Sequence, residues 1–312
     1  MIIKSTSIKT WARLGQRGTF FGIAMPEIAK EKENLKLLTA DLALLSGMDR
    51  FIANYPEKFL NIGIAEQNMI GIAAGFAMEG RCVFATTYAS FIAVRSLEQI
   101  RQHLSYLQCN IKIIGTAAGV MAARSGISHC ATEDLAFMRV LPNIIVLSPA
   151  DSLEAYKMAH FAAETDLPIY IRLSGGLNCP VVHNDDFSFE VGKALILKKG
   201  SDVAIIATGL MVSETLKAAK ILDDWGISCS VIEMHTIKPL DKDTLNRVFA
   251  EHKLIISVEE HSVLGGLGSA IAEYKATLKN TPRQIFIGFP DLFAEARHSL
   301  RWPWTLPEYI SL

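Results

Sequence analysis

The sequence has 312 residues, of which 50% are hydrophobic and 20% charged, and its formal net charge is -1. This composition is typical of a folded globular protein and excludes an intrinsically disordered or collagen-like chain. The near-neutral charge argues against nucleic-acid binding, which normally requires a basic excess. The length favours two domains, because single hydrophobic cores rarely grow beyond roughly 250–300 residues.

Targeting and metal-binding patterns are not evident in the sequence. Lys4, Lys9, Arg13 and Arg17 interrupt the apolar residues near the amino terminus, and apolar runs such as Met69–Met78 are too short to span a bilayer. The five cysteines form no CxxC pair, which favours reduced thiols. Neither HExxH nor a Cys/His cluster occurs. We therefore expect a cytoplasmic protein that holds no metal itself and binds neither membrane nor nucleic acid.

The first half of the sequence alternates short β-branched runs with longer segments of helical periodicity. The predicted strands are Leu35–Leu38, Cys82–Thr86, Ile111–Ile114, Ile144–Leu147 and Ile169–Leu173. The predicted helices are Glu66–Met78, Ile92–Leu107 and Ser152–Glu164, the last with an N-cap at Asp151. This alternation is typical of a mostly parallel sheet that is covered by helices on both faces.

A polar linker at His183–Ser188 interrupts the pattern, which then restarts. The second set of predicted strands is Val203–Ala207, Ser228–Glu233, Lys253–Val258 and Gln284–Ile287, and the predicted helices are Ser213–Trp225 and Gly268–Leu278. The sequence thus predicts two consecutive α/β domains, each a mostly parallel sheet flanked by helices. We place them at residues 1–183 and 189–312.

A first candidate site is the segment Asn61–Ala77, in which one carboxylate, Glu66, begins an otherwise small and apolar helix. Its glycines and alanines would let another helix approach closely. Such packing would desolvate Glu66 and favour its protonated form, as a general acid requires. The alternative, which the pattern leaves open, is a solvated carboxylate that stabilises the helix amino terminus.

Three other segments have a functional interpretation. Thr86–Phe91 follows a predicted strand, where ligands bind in open α/β sheets, and its aromatic residues Tyr88 and Phe91 could stack on a flat heterocycle or simply fill the core. His129 lies in a Gly/Ser-containing loop and could donate a proton, although a lone histidine is more often structural. The glycines of Gly265–Ser269 predict close packing rather than phosphate binding, because no complete G-x-G-x-x-G is present.

Five segments, taken in order, resemble the carboxyl-terminal half of a transketolase. They are Asn61–Ala77, Thr86–Arg101, Gly126–Asn143, His235–Asp241 and Glu259–Glu273. Any one alone is modest support, but the ordered set is highly specific. The resemblance runs from about Arg17 to about Asp291 and implies a pyrimidine-binding domain followed by the transketolase C-terminal domain. It also implies thiamine diphosphate as cofactor and transfer of a two-carbon ketol unit from a ketose to an aldehyde.

The resemblance implies roles for the cofactor-binding residues. Glu66 matches the catalytic glutamate that hydrogen-bonds N1′ of the aminopyrimidine and thereby activates the cofactor. Tyr88 and Phe91 match the aromatic positions that pack on the pyrimidine ring. Asp41 matches an aspartate near the cofactor.

For the substrate, the resemblance implies a less ordinary site. His129 matches a catalytic histidine that contacts sugar oxygens, and Arg17 roughly matches an arginine that binds substrate phosphate. Arg95 is a further candidate for substrate binding. Ser125 stands where transketolases usually have an aspartate that contacts a donor hydroxyl, and Gly175 stands where a phosphate-binding arginine is usual. These departures predict a specialised sugar substrate.

The 312 residues contain no Gly-Asp-Gly motif, which in transketolases helps to hold Mg²⁺ and the diphosphate. The resemblance therefore implies a split transketolase, in which an N-terminal partner subunit supplies the Mg²⁺ and diphosphate site and shares the cofactor. It further implies self-association through the pyrimidine domain and an α2β2 assembly. The alternatives are the β-subunit of a 2-oxo acid dehydrogenase and a non-catalytic structural or regulatory subunit. Near the carboxyl terminus, Trp302 and Trp304 are predicted to cover the core or to anchor a partner.

Overall fold

Strands and helices alternate along residues 3–293, the part of the chain that the computed structural model describes. The strands of the first half are β1 (Leu35–Thr39), β2 (Phe59–Asn61), β3 (Cys82–Tyr88), β4 (Ile111–Thr116), β5 (Ile145–Leu147) and β6 (Ile169–Leu173). Its helices are α1 (Ser5–Thr19), α2 (Met25–Glu31), α3 (Asp49–Asn54), α4 (Glu66–Met78), α5 (Ala89–Arg95), α6 (Leu97–Ile100), α7 (Asp134–Val140) and α8 (Ser152–Glu164).

The second half continues in the same way. Its strands are β7 (Leu195–Lys198), β8 (Val203–Ala207), β9 (Cys229–Glu233), β10 (Thr236–Lys238), β11 (Leu254–Ser262) and β12 (Arg283–Phe289). Its helices are α9 (Met211–Asp224), α10 (Lys242–Glu251) and α11 (Leu267–Ala276).

Two sheets organise these elements. The first has the order β10-β5-β6-β4-β3-β1-β2, and all its neighbouring pairs are parallel except β10 with β5. The second has the order β12-β11-β8-β9-β7, and only β7 pairs antiparallel. The central strands of the first sheet are almost fully buried, as expected when helices cover both faces. The predicted fold class of two consecutive, mostly parallel α/β domains is confirmed.

Strand β10 crosses from the second half into the first sheet. It pairs antiparallel with β5, with Thr236 opposite Leu147 and Lys238 opposite Val146. Lys238 Nζ also donates a hydrogen bond to the carbonyl oxygen of Arg139, 3.1 Å away. The linker predicted at residues 183–188 therefore does not divide the structure completely in space.

The predicted helix Ile92–Leu107 is wrong as a single element. Helix α5 ends at Arg95, and Ser96 (φ -104°, ψ 11°) leaves helical geometry before α6 begins. Ser96 is fully buried, so tertiary packing holds the break, whereas the apolar periodicity continues across it. A π-helical turn then follows at Arg101–Tyr106.

Other local predictions can be checked directly. Asp151 is the N-cap of α8, because its Oδ1 accepts a hydrogen bond from the backbone N–H of Glu154 at 3.0 Å. No helix within residues 3–293 is both long and apolar enough to cross a bilayer. The predicted role of Trp302 and Trp304 concerns residues outside the described part of the chain.

Candidate active site

Glu66 is the first residue of α4, at the edge of the first sheet where its parallel strands end. Its side chain is only 7% exposed, and its Oε1 lies 2.9 Å from Nη1 of Arg95, which is 49% exposed. Arg95 is the last residue of α5, so the break at Ser96 ends the helix at the residue that meets Glu66. Glu66 is therefore buried, as predicted, but it has a cationic partner that the sequence pattern does not indicate.

An open cleft with a volume of about 420 Å³ lies beside this ion pair. Its lining residues come mainly from the start of α4 and are Ile64, Ala65, Glu66, Gln67, Asn68 and Arg95. Gln67 Nε2 donates to the carbonyl oxygen of Arg95 at 3.0 Å and so links the two helices. One buried carboxylate thus faces a cleft that is open to solvent.

Aromatic rings continue from the ion pair. The guanidinium of Arg95 lies over Phe91, 3.9 Å from the ring centroid. Phe91 and Tyr88 pack edge to face at 5.7 Å, and the His129 ring lies 5.0 Å from Phe91 and 5.5 Å from Tyr88. The structure therefore brings five of the predicted site residues together, and we call Glu66, Tyr88, Phe91, Arg95 and His129 the catalytic cluster.

The remaining predicted site residues are Arg17, Asp41 and Ser125, which lie outside this cluster. Arg17 is half-buried; burial lowers its pKa, and neighbouring Tyr88 raises it in part. Asp41 follows β1 and accepts a hydrogen bond from Asn61 Nδ2 at 3.0 Å, and Asn61 was not predicted as a site residue. Ser125 is exposed and makes no side-chain hydrogen bond among the described contacts.

The position of Asn61 in the sequence could have identified it as a site residue. It lies at the end of β2, in the same segment that leads to Glu66, and its Oδ1 accepts hydrogen bonds from the N–H groups of Asp41 and Gly63 at 3.1 and 3.0 Å. An asparagine at a strand end is well suited to such bridging between loops. It fixes Asp41, whose φ of 58° lies in the left-handed region.

Comparisons with known proteins identify the family of this chain. Residues 17–179 match the family model described as "Transketolase, pyrimidine binding domain", and residues 192–296 match "Transketolase, C-terminal domain". This chain belongs to the transketolase family. It is a transferase subunit, and its family depends on thiamine diphosphate.

Similar transketolase proteins have nearly the same length. A putative transketolase C-terminal section from Methanocaldococcus jannaschii is 39% identical over 88% of this chain and 87% of that protein. An apulose-4-phosphate transketolase subunit from Phocaeicola vulgatus is 36% identical over 85% of this chain and 84% of that protein. A solved structure described as a split gene transketolase, inactive beta4 tetramer, has a TM-score of 0.83 and 40% identity, and it covers 92% of this chain and 93% of that chain.

The cleft and catalytic cluster fit one part of thiamine diphosphate. A carboxylate at the wall and two aromatic rings suit an aminopyrimidine, which needs a hydrogen-bonding acid and flat apolar surfaces. The residues lining the cleft offer one cation, Arg95, and it is already paired with Glu66. The fit therefore concerns the pyrimidine half, and the lining offers little for a diphosphate.

Gly175 packs closely against α1 and Cys179. A Cβ atom there would come within 2.7 Å of Gln16 Cδ and 2.8 Å of Cys179 Sγ. Gln16 is fully buried; its Oε1 accepts from the N–H of Gly175 at 2.7 Å, and its Nε2 donates to the carbonyl oxygen of Pro149 at 2.8 Å. A side chain at position 175 would displace Gln16, so this space is filled from α1 instead.

The glycines of Gly265–Ser269 are close-packing glycines, as predicted. A Cβ at Gly266 would lie 2.0 Å from Glu259 Oε2. The Glu259 carboxylate accepts hydrogen bonds from the N–H groups of Leu267 and Gly268 at 2.7 and 2.8 Å. A carboxylate of the chain itself therefore occupies the amino terminus of α11, where a phosphate would otherwise bind.

Three buried groups meet between the domains, at a place that the sequence did not predict. Glu154 of α8, His183 of the linker and Glu233 of β9 have ligand atoms within 4.8 Å of one another, and within residues 3–293 they are the one group close enough to hold a metal ion. Nε2 of His183 lies 2.9 Å from Oε2 of Glu233. Burial raises the pKa of Glu233 to about 8 and that of Glu154 well above its usual value. Burial therefore favours the protonated form of both carboxyl groups, and for Glu233 this preference extends to about pH 8.

These raised pKa values predict that stability falls as pH rises from about 6.5 to about 8.5. Protonated carboxyl groups are favoured by the folded state, so their contribution is lost as pH rises through the folded pKa of Glu233, about 8. His235, whose pKa burial lowers to about 4, acts only below this window. We expect Glu233 to contribute a loss of about 2 kcal/mol in urea unfolding, which Glu233→Gln removes. Glu260, whose pKa burial raises to about 7, adds a smaller loss that this variant keeps.

The matched control is Glu214→Gln, which removes an exposed partner of Lys217 and should keep the wild-type pH slope. A wild-type free energy of unfolding that does not change over this pH range would contradict the raised pKa of Glu233. Unfolding is repeated with and without Zn²⁺. If Zn²⁺ stabilises the wild-type chain but not Glu233→Gln, the trio binds metal instead.

Proposed function

We propose that this chain is the pyrimidine-binding and C-terminal subunit of a two-chain transketolase, with its domains divided between residues 183 and 189. The complex transfers a two-carbon ketol unit from a ketose to an aldehyde. The observation that carries the proposal is the catalytic cluster, in which buried Glu66, two aromatic rings and His129 lie beside an open cleft. Family membership supplies the reaction class.

Each side chain of the cluster has a distinct task in this proposal. When bound, thiamine diphosphate supplies the electron sink for carbon–carbon bond cleavage. Glu66 holds the proton at N1′ of the aminopyrimidine, and the rings of Tyr88 and Phe91 orient the pyrimidine. His129 donates hydrogen bonds to sugar oxygens. Arg95 must release or share the Glu66 carboxylate, because its guanidinium occupies Oε1.

A second chain completes the site. We assign the diphosphate and Mg²⁺ to this partner, because the cleft offers no free cation among its lining residues. Relatives of similar length support the assignment, since one is named as a transketolase subunit and another as a split gene transketolase.

The exposed face of α4 suits self-association into an α2β2 complex. Added Cβ atoms at Gly71 and Gly75 would meet nothing within 4 Å, and Ile64 and Met78 nearby are 75% and 63% exposed.

The substrate is a specialised sugar in this proposal. Buried Gln16 lies against Gly175, which stands where the resemblance places a phosphate-binding arginine. Ser125 stands where the resemblance places an aspartate that contacts a donor hydroxyl. Arg17, half-buried near Tyr88, is the cation that remains for an anionic group. One relative is named as an apulose-4-phosphate transketolase subunit, and this name supports a specialised sugar substrate. The five free cysteines favour a reducing compartment, and we place the complex in the cytoplasm.

Reconstitution tests this proposal. The purified chain is expected to show no ketose cleavage alone, and ketol transfer should appear when the N-terminal subunit, thiamine diphosphate and Mg²⁺ are added. Mass photometry should then show two copies of each chain. Ketose cleavage by the chain alone would refute the shared site, and decarboxylation of a 2-oxo acid by the pair would instead identify a dehydrogenase subunit. Cofactor binding without either reaction would indicate a non-catalytic subunit.

A further inference from the structure

A closed loop carries His129 and Ser125. Its ends are joined by two backbone hydrogen bonds, from the N–H of Gly119 to the oxygen of Ala131 at 3.0 Å and from the N–H of Ala131 to the oxygen of Gly119 at 2.8 Å. We call residues 119–131 the substrate loop and the Gly119–Ala131 pair its neck. Any movement of the neck would move the His129 ring relative to the aromatic residues that it contacts.

The second domain holds one side of this neck. Glu260, near the end of β11, is buried, and its Oε1 accepts a hydrogen bond from the N–H of Val120 at 3.1 Å. A Cβ atom on Gly119 (φ +68°) would come within 2.3 Å of the Glu260 carboxyl carbon. The carboxylate therefore lies directly against the backbone, and glycine is needed at position 119 for this contact.

Arg172 holds the other side of the neck. Its Nη2 donates to the oxygen of Ala131 at 3.1 Å and to the backbone oxygen of Glu260 at 2.8 Å. The N–H of Ser262 also donates to the oxygen of Thr132 at 2.6 Å. The end of β11 is thus linked to both ends of the substrate loop. Glu260 bonds to Val120 at one end, and Arg172 joins the backbone of Glu260 to Ala131 at the other.

We propose that Glu260 is a positioning residue, which fixes the substrate loop so that the His129 ring stays against Tyr88 and Phe91. The inference rests on the proposed function and adds to it a role for the C-terminal domain in placing the sugar. The contacts of Glu260 that carry this role are with the substrate loop and Arg172. Its effect passes through Val120 and the neck to His129, and a misplacement of about 1 Å can cost a large factor in rate.

Two substitutions at Glu260 separate the hydrogen bond from the volume of the side chain. Glu260→Leu fills the space without an acceptor, whereas Glu260→Gln retains an oxygen for the N–H of Val120. In the reconstituted enzyme we expect Glu260→Leu to lower kcat/KM for the ketose by about tenfold or more and Glu260→Gln to stay within about threefold of wild type. Hydrogen–deuterium exchange should rise in residues 119–131 of the Leu variant alone. Glu260→Met replaces the Leu variant if that protein does not fold.

Glu259→Leu is the matched control, because Glu259 is the buried neighbour on the same strand but bonds to α11 rather than to the substrate loop. It should lower the melting temperature and leave both kcat/KM and exchange in residues 119–131 unchanged. Equal losses of kcat/KM in the Glu259 and Glu260 Leu variants, or none in Glu260→Leu, would overturn the inference. Hydrogen–deuterium exchange is measured on the chain itself and does not depend on catalysis. A wild-type pair that cleaves no ketose would refute the proposed function. Unaltered exchange in residues 119–131 of an active Glu260→Leu enzyme would refute only this inference.

Discussion

Glu66→Gln is expected to lower kcat/KM of the reconstituted enzyme by about 10²- to 10⁴-fold, the range of general acid–base contributions. A neutral amide can bond to a ring nitrogen but cannot exchange a proton with it. The fold should tolerate the change, because the described partner of the Glu66 side chain is Arg95, which is half-exposed. Pairs that reach solvent typically contribute less than about 1 kcal/mol.

The measurement combines steady-state kinetics with calorimetric cofactor binding. Glu79→Gln is the matched control, because Glu79 is an exposed carboxylate at the other end of α4. It should have wild-type kinetics. Glu66→Gln should still bind thiamine diphosphate, since we assign the diphosphate to the partner subunit. A Glu66→Gln enzyme with normal turnover would remove Glu66 from the mechanism.

Asp134→Ala is expected to lower the free energy of unfolding by about 3–5 kcal/mol, the cost of leaving a buried charge without its partner. Asp134 is 1% exposed and accepts hydrogen bonds from Arg172 Nε at 2.9 and 3.1 Å and from the Tyr170 hydroxyl at 2.5 Å. Removing the carboxylate takes away the ion-pair partner of the buried Arg172 guanidinium and leaves Glu260 as the acidic group that still interacts with it. Chemical denaturation of the purified chain measures the loss.

Glu98→Gln provides the contrast, because Glu98 and its partner Arg101 are 58% and 62% exposed. Exposed pairs of this kind contribute little to stability, so we expect the free energy of unfolding to stay close to that of wild type. The double variant Asp134→Leu, Arg172→Met should recover part of the stability, since it removes both charges. An Asp134→Ala protein as stable as Glu98→Gln would show that the buried pair contributes little.

The sequence predicted the strands of both sheets well wherever β-branched runs are long and buried, as in β3 and β6. It did not predict the short strands β2, β7 and β10, because edge strands of so few residues carry too little periodicity. The break at Ser96 was not predicted for a related reason, since apolar spacing continues through a residue whose geometry is fixed by packing.

The candidate site shows a similar division. Tyr88 and Phe91 are close in sequence and follow one strand end, so their proximity follows from local pattern. His129 joins them as the resemblance implies. The pairing of Glu66 with Arg95 and of Glu260 with Val120 could not be predicted from the sequence, because each depends on where the fold places distant segments.

Strand β10 limits where this chain can be divided without exposing a sheet edge. The strand belongs to one domain by sequence and to the other by its hydrogen bonds to β5. A chain ending in the linker would leave β5 as an open edge, able to pair with other molecules and to aggregate. Because β10 completes the edge of the first sheet, we expect the two halves of the chain to fold together rather than separately.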